Sequence, residues 1–499
     1  EFPPLEMNQL SDKTRQKLAE IREENIPRVQ EHEIFLILDK CKKKKSSVPG
    51  DMPPRLFYGA SAALAAPAAR IMNNIAKTGE WPSQYKTEWG VPIEKTKPAL
   101  DESQTRIISC TNKMNIVFEK QVVFWLMQAI QHKLDRDQFG GQKGNSVAHY
   151  LIEMTHFILY NQDLKNPQAI LAAILDYKQG FNRCQHSKFI EVLSEDYDCP
   201  GWLLRILIGY LSQRKLRVRY KQKVGEEKDI PGGAGQGVPA GLWIFLLLID
   251  AAGPRANIEP IGKIITQPLN RRKKIEKTKK KWIDDFTLLA ALDLKKTLVH
   301  NTEPTRPVPY RGRTEHMLPR TNNLLQDEVD KIVTMCGQRN QRLNITKTKT
   351  MIFNPLRAYD IAPNISISPG TTCEVVEEYK ILGFILRSDL KTISNTENIC
   401  KRAYARMWIL RRLKALGCPI PDLLDVLKQQ ILSICEGNVA YWGPMITKEE
   451  SNMLERCLKT GLHIIYQDRY LSFKQVLLLA NMKSLKYRRL VLLTKFSKR

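Results

Sequence analysis

Apolar positions recur at helical spacing in residues 117–132, and Ala403, Met407 and Leu410 share one face of a later segment. That segment opens a region, from about residue 395 onward, that reads as helical; its first helix stops near Gly417, with Pro419 just beyond. An alanine-rich stretch, residues 61–77, predicts a further helix. Residues 1–31 are polar and charged (SDKTRQKLAEIREE within them) and read as an amphipathic extension. Residues 169–175 (AILAAIL) are wholly apolar and run into Asp176. Alanine favours a helix there, whereas the short length also fits a buried strand; propensity does not choose. Short strands are expected in residues 343–353 and 379–386. Residues 282–289 are apolar on both sides of Asp284-Asp285, which predicts a hairpin whose turn presents the two carboxylates. The glycine density of residues 231–241 (PGGAGQGVPAG) suits neither helix nor strand and predicts a shaped loop. No internal repeat is present.

A chain of 499 residues suggests two to four packed units. With 43% hydrophobic residues it can bury real cores, so it is not a disordered basic tail. Lys and Arg number 78 against 52 Asp and Glu, a formal charge of +26, which argues for a polyanionic partner. The excess is localised. Residues 254–283 hold ten basic and two acidic residues, and residues 391–499 hold twenty and eight. The run 271–281 (RRKKIEKTKKK) reads as a solvated linker, a nuclear localisation patch or a phosphate clamp, the solvated or generally phosphate-attracting reading first.

The longest greasy run, residues 242–253, is broken by Asp250, so no membrane span and no membrane partner is expected. The N-terminus has no signal-peptide layout and no initiator Met, which reads as a fragment or processed product. Ten scattered cysteines include no CxxC pair and no zinc-ligand spacing; they fit a reducing compartment, most of them buried.

The candidate chemistry lies in carboxylates. Asp176 ends one apolar run, and Asp284 and Asp285 interrupt another. An acid at a strand end is ordinarily a turn or cap residue. Two such ends side by side would repel, and divalent cations would neutralise them. Hard oxygen ligands suit Mg²⁺ or Mn²⁺, and two such ions roughly 3.5–4 Å apart stabilise an in-line phosphoryl displacement.

The surroundings of these acids form a series. Asp176-Tyr177-Lys178-Gln179-Gly180-Phe181-Asn182 resembles motif A of reverse transcriptases, and residues 233–245 (GAGQGVPAGLWIF) resemble motif B. Trp282-Ile283-Asp284-Asp285 resembles motif C, residues 343–348 motif D, and residues 379–384 motif E. Pro92-Ile93-Glu94-Lys95 and Arg106-Ile107-Ile108-Ser109 look like the fingers motifs. Gln138-Phe139-Gly140 with Gly144-Asn145-Ser146 looks like the segment before the palm, and residues 47–53 resemble a template-contacting loop. Tyr441-Trp442, Glu455-Arg456 and His463-Ile464-Ile465 continue the likeness. Over roughly residues 32–499 the chain resembles the reverse transcriptases of jockey-type non-LTR retrotransposons.

The resemblance implies an α+β, right-hand polymerase fold. It divides the chain into an N-terminal helical extension (1–31), fingers (32–168), a ferredoxin-like palm with a small antiparallel sheet (169–390, basic insertion 254–283) and a basic helical thumb with the C-terminal region (391–499). It implies an RNA template, a DNA primer or target DNA, dNTPs and two Mg²⁺ or Mn²⁺ ions. The resemblance also suggests a ribonucleoprotein of nucleus and cytoplasm. Asp176 and Asp284 would ligate both metals, Asp285 would assist, and the carbonyl of Tyr177 would add a ligand. Lys95 and Arg106 would hold the triphosphate, Gln236 would contact the incoming nucleotide, and Lys347 would serve the leaving pyrophosphate, with Lys349 close enough to confuse the assignment. Phe181 would gate against the ribose 2′-hydroxyl, which disfavours an RNA-templated RNA polymerase. Gly383 would let the primer approach, and Lys401, Arg402 and Arg406 would hold nucleic acid.

Three departures stand out. Trp282-Ile283 replaces Tyr-Ala or Phe-Ala, Gly235 replaces a proline and is expected to loosen the loop around Gln236, and Val238-Pro239 replaces a hydroxyl residue and an aliphatic one. They leave a second reading, an impaired or degenerate copy that only binds nucleic acid. Residues 1–31 hold no endonuclease, and no RNase H pattern follows residue 390.

Overall fold

In a computed structural model of the chain, the described residues are 2–41, 47–95, 98–101, 104–164, 168–250, 277–292, 323–354, 365–368, 370–467 and 471–498. They fall into two compact units that interleave in sequence. The first comprises residues 1–136, 177–252 and 330–344, the second residues 137–176, 253–329 and 345–499. The linear segments 32–168, 169–390 and 391–499 are a different division. Lys42 to Lys45 and the first part of the basic insertion, residues 254–276, lie outside the described residues.

In the first unit, β1 (Thr87–Glu94) pairs with β2 (Thr105–Cys110) and, in parallel, with β4 (Lys215–Tyr220), which turns back into β5 (Lys223–Asp229). These strands escape a hydrophobicity reading. In Lys215-Leu216-Arg217-Val218-Arg219 the period of two is present, but its outward positions are long cations. The Arg217 guanidinium lies 5.7 Å from the Trp89 ring centroid, and Lys215 and Arg217 both pair with Glu227 at 3.1 and 3.5 Å. The N-terminal extension is packed. Its helix Asp12–Ala19 is capped by Ser11, which donates to Glu195, while Lys17 donates to the Ser194 carbonyl at 3.0 Å.

The second unit is built on β3 (Ala169–Leu175), β6 (Lys277–Trp282), β7 (Asp285–Leu292), β8 (Lys349–Phe353) and the short β11 (Glu374–Val375), in the order β11-β8-β3-β7-β6, while β9 (Ser366–Ser368) and β10 (Thr371–Thr372) form a small antiparallel pair of their own. Residues 169–175 are thus a strand, buried at every position, as a central strand covered on both faces must be. Among themselves β3, β6, β7 and β8 pair antiparallel in the order last, first, third, second, and β11 joins the outer side of β8 in parallel. The order of those four is the ferredoxin-like split βαβ order. The helix Val147–Gln162 packs on this sheet, with Tyr150 Oη and Thr287 Oγ1 hydrogen-bonded at 2.7 Å.

Residues 277–281 correct the linker reading. They form β6, and Thr278, Lys279, Lys280 and Lys281 are buried. Carboxylates compensate Lys280, whose Nζ lies 2.6 Å from Asp137 and 3.8 Å from Glu153, and the partly buried Lys277, which donates to Glu328 at 2.6 Å. Beyond the sheet come the hairpin of β12 (Glu378–Ile381) and β13 (Phe384–Arg387) and a set of helices led by Ile393–Ala415 and Lys448–Tyr466. Met407, Leu410, Leu427, Ile431, Leu454 and Leu458 form part of their common core. All ten cysteines are free and eight are buried. Among the described residues no helix is long and apolar enough to cross a membrane.

Candidate active site

Strand register brings the acids together. Leu175 pairs with Phe286, and Trp282 pairs with Asp285, which leaves Ile283 and Asp284 as a two-residue turn. Carried one step further, the β3–β7 register sets Asp176 opposite Asp285. Facing residues on one side of an antiparallel pair have Cβ atoms about 4.5–5.5 Å apart. Their electrostatics agree. The Asp285 carboxyl is pushed up to about 7, first by burial, then by the charges of Asp284 and Asp176, with Lys347 opposing. The Tyr379 hydroxyl is raised by burial and then by Asp176 and Asp285.

The same geometry separates the two candidate lysines. Lys347 Nζ lies 3.7 Å from Asp176 Oδ2 and is largely exposed. Lys349 is bound instead to Glu374 at 2.6 Å and to the Thr346 carbonyl at 2.8 Å. Trp282 is partly buried and packs against the main apolar cluster of the unit. Ile283, a β-branched residue, has φ +56°. Such a conformation costs about 1–3 kcal/mol and persists only where neighbours enforce it.

Among the described residues, no group of three or more His, Cys, Asp or Glu side chains is gathered closely enough to hold a metal ion. What fits a cation is the charge. Three acids share this end of the sheet with Lys347, and one of them is driven toward its neutral form. A divalent ion would restore the ionised set, and hard oxygen donors match Mg²⁺ or Mn²⁺.

Tyr177, Phe181, Gln236, Lys95 and Arg106 belong to the first unit. The Tyr177 ring is buried and meets Phe245 edge-on at 5.9 Å, and the half-buried Phe181 lies against the same ring at 4.6 Å. Lys95 and Arg106 are both exposed. The register pairs Ile93 with Arg106, and Lys95 N donates to Gln104 O at 2.7 Å, so the β1–β2 pair holds them at neighbouring positions.

The loop around Gln236 is pinned, contrary to the loosening expected from Gly235. Gly233 N donates to Cys184 O, Ala234 N to Phe181 O and Ser109 N to Gln236 O, each at 2.7 Å. A Cβ on Gly235 would lie 2.9 Å from Val238 Cγ2 and 3.0 Å from Glu88 Oε2. Glu88 is itself buried in an ion pair with Arg214, so the space a proline would fill is taken. Pro239 opens the helix Pro239–Ile249, where its missing N–H costs nothing. Ala240 N donates to Glu119 Oε2 at 3.3 Å, and burial pushes the Glu119 carboxyl up to about 7.

Sequence reasoning missed Glu88, Arg214 and Glu119. Only Glu119 carried a signal, as a lone acid in an apolar helical stretch. Gly383 sits exposed between β12 and β13 at φ +84°. Lys401, Arg402 and Arg406 are exposed on the helix Ile393–Ala415, with Arg406 donating to Gln430 at 2.9 Å. Tyr404 and Trp408 are exposed among them, Trp408 by 61%; the overlooked signal was aromatics interleaved with basic residues at helical spacing.

No family model matches the chain. It is 24% identical over 196 residues to a probable RNA-directed DNA polymerase from transposon X-element of Drosophila melanogaster. The match takes in 39% of this chain and 21% of the fly protein, so it spans about a fifth of the relative's length. Among solved structures, telomerase from Candida albicans with a fragment of telomeric RNA is similar at 10% identity and a TM-score of 0.37, covering 87% of this chain and 69% of that one. Apo telomerase from Candida tropicalis, truncated from its C-terminal domain, is similar at 11% identity and 0.36, covering 64% and 57%. Scores of that size carry no inference about fold; the strand order above rests on the chain's own pairing.

Proposed function

We propose that this chain is the reverse transcriptase of a jockey-type non-LTR retrotransposon, with a right-hand fold, extending a DNA primer on an RNA template with dNTPs. The observation that carries the reading is the register that sets Asp176 opposite Asp285, beside Asp284 and 3.7 Å from Lys347. Asp176 and Asp284 would hold two Mg²⁺ or Mn²⁺ ions, with Asp285 assisting and the Tyr177 carbonyl as an added ligand. Bound there, the ions supply charge stabilisation for attacking and leaving oxygens. The primer 3′-hydroxyl attacks the α-phosphate and pyrophosphate leaves, and Lys347 would protonate or steady that pyrophosphate. Lys95 and Arg106 bind the triphosphate, Gln236 contacts the nucleotide, and Phe181 excludes a 2′-hydroxyl that no acid is there to accept. Gly383 admits the primer strand, and the exposed face of Lys401, Arg402, Tyr404, Arg406 and Trp408 takes the template–primer duplex by charge and stacking.

The binding-only reading drew on a loosened motif B and on Trp282 in motif C; the pinned loop speaks against the first ground, and the second stands. Primer extension on an RNA template with a DNA primer and Mg²⁺ tests the proposal. Incorporation is expected from the native chain and not from Asp284→Ala; activity that survives the substitution sinks the metal assignment.

A further inference from the structure

The turn that carries Asp284 is held from outside its own hairpin. Residues 137–139 run beside β6: Lys281 N donates to Asp137 O at 2.9 Å, and Phe139 N donates to Lys281 O at 2.8 Å. Between them Gln138 is completely buried. Its Oε1 accepts from Ile283 N at 3.1 Å and from Gly140 N at 3.2 Å, while its Nε2 has no hydrogen-bond partner among the described residues. The amide is therefore used as an acceptor, at the residue whose φ of +56° a β-branched side chain resists. Gly140 completes the seat. A Cβ there would lie 2.6 Å from Ile283 N and 2.7 Å from Ile283 Cγ1. A strained peptide stays in place only when the structure around it over-determines it.

From this we infer that Gln138 is a positioning residue: its side-chain carbonyl, with Gly140 beneath the turn, fixes the Ile283 peptide and so the aim of Asp284 and Asp285. The inference rests on the cation-binding reading of those acids. It makes the 137–140 segment part of the site although none of its side chains needs to touch substrate. Gln138→Met keeps the length of the side chain and deletes the acceptor. Ile283→Asn replaces the resisting residue with one that tolerates positive φ, so less holding is needed.

The test titrates the full chain with Mg²⁺ alone and follows its thermal unfolding. Gln138→Met is expected to raise the Mg²⁺ midpoint about fivefold, the worth of one net hydrogen bond. Adding Ile283→Asn to it is expected to bring the midpoint back. In primer extension Gln138→Met alone should show a raised Mg²⁺ requirement with the KM for dNTP unchanged. A purely structural glutamine would lower the unfolding temperature and leave the midpoint alone, and that result overturns the clamp while the cation site stands. A native chain that does not respond to Mg²⁺ overturns both. Should Gln138→Met not fold, the double variant is expected to; if it also fails, the role does not lie in the turn and the inference falls.

Discussion

β3 and β6 are two strands of one sheet, each delivering an acid of the site, and they are buried by opposite means. β3 is AILAAIL, with every position buried by apolar packing. β6 is KTKKKW, and its inner residues are as inaccessible as those of β3. Apolar burial needs no particular partner, so its sequence shows it. A buried lysine needs a carboxylate brought from elsewhere in the chain, as Asp137 and Glu153 are brought to Lys280, so its own sequence looks like a linker. The comparison teaches that charge density along a strand does not report its exposure. It also teaches that the two edges of the site fail differently: β3 by losing contacts, β6 by leaving a charge uncompensated.

The largest expected effect breaks that comparison at β6. Asp137→Asn with Glu153→Gln leaves Lys280 buried without its carboxylates, and should cost about 3–5 kcal/mol in chemical denaturation. Adding Lys280→Met should recover most of the loss, because an apolar side chain of similar length needs no partner. Ile170→Ala in β3 should cost about 2–5 kcal/mol and admit no such rescue, since a cavity remains. If the acid pair can be removed for less than about 1 kcal/mol, the ion pairs are ordinary surface ones and β6 is not held as argued.

A third kind of burial sharpens the contrast. Glu119 is buried and accepts from neutral donors, Ala240 N at 3.3 Å and Asn115 Nδ2 at 2.8 Å, and its carboxyl is pushed up to about 7. A carboxyl raised in the folded state contributes stability that is whole below its unfolded value of 4.5 and is lost as pH rises through about 7. Glu119→Gln removes that dependence while keeping the acceptor. The variant should be more stable than the native chain at pH 8.5, by about 3 kcal/mol. The difference should vanish below pH 4.5. Unfolding midpoints measured across that range check it, and parallel curves would mean that the charge at Glu119 is compensated after all.

The legible parts of the molecule follow from the same distinction. The helices over 61–77, 117–132 and from about 395 onward, the 169–175 strand as one of two options, the glycine-rich loop as far as Val238 and the Asp284-Asp285 hairpin were readable, because each is specified locally by period, glycine or an apolar run. The expected loop runs three residues too far, since the helix already begins at Pro239. The β4–β5 pair was not, since Lys215, Arg217 and Arg219 occupy the alternate positions that usually mark a strand's polar face in short, recognisable residues. Motif B shows the converse error. Gly235 looks like a loosened loop in one dimension, and only the buried Glu88–Arg214 pair reveals why nothing larger fits. The acids were legible as a set because Asp176 ends one apolar run and Asp284 and Asp285 interrupt another, but the Gln138 acceptor that seats their turn lies about 145 residues away from it.

Lys347 and Lys349 provide the smallest and most discriminating test, two lysines separated by Thr348 whose sequence positions alone do not tell them apart. Lys349 is mostly shielded and bound to Glu374, whereas Lys347 is 64% exposed and reaches toward Asp176. Neither pair should matter much to folding, because ion pairs with one exposed partner contribute about 0–1 kcal/mol. Their effects on turnover should diverge. Lys347→Met is expected to lower the rate of single-nucleotide addition by about 10²-fold, the usual worth of a positioned proton donor. Lys349→Met should change it by less than about twofold, since its ammonium is committed to a carboxylate outside the acid set. Pre-steady-state extension, run beside unfolding curves for both variants, separates the outcomes. Equal rate losses would mean that Lys347 acts only through local stability, and a larger loss at Lys349 would move the proton donor from the exposed lysine to the shielded one.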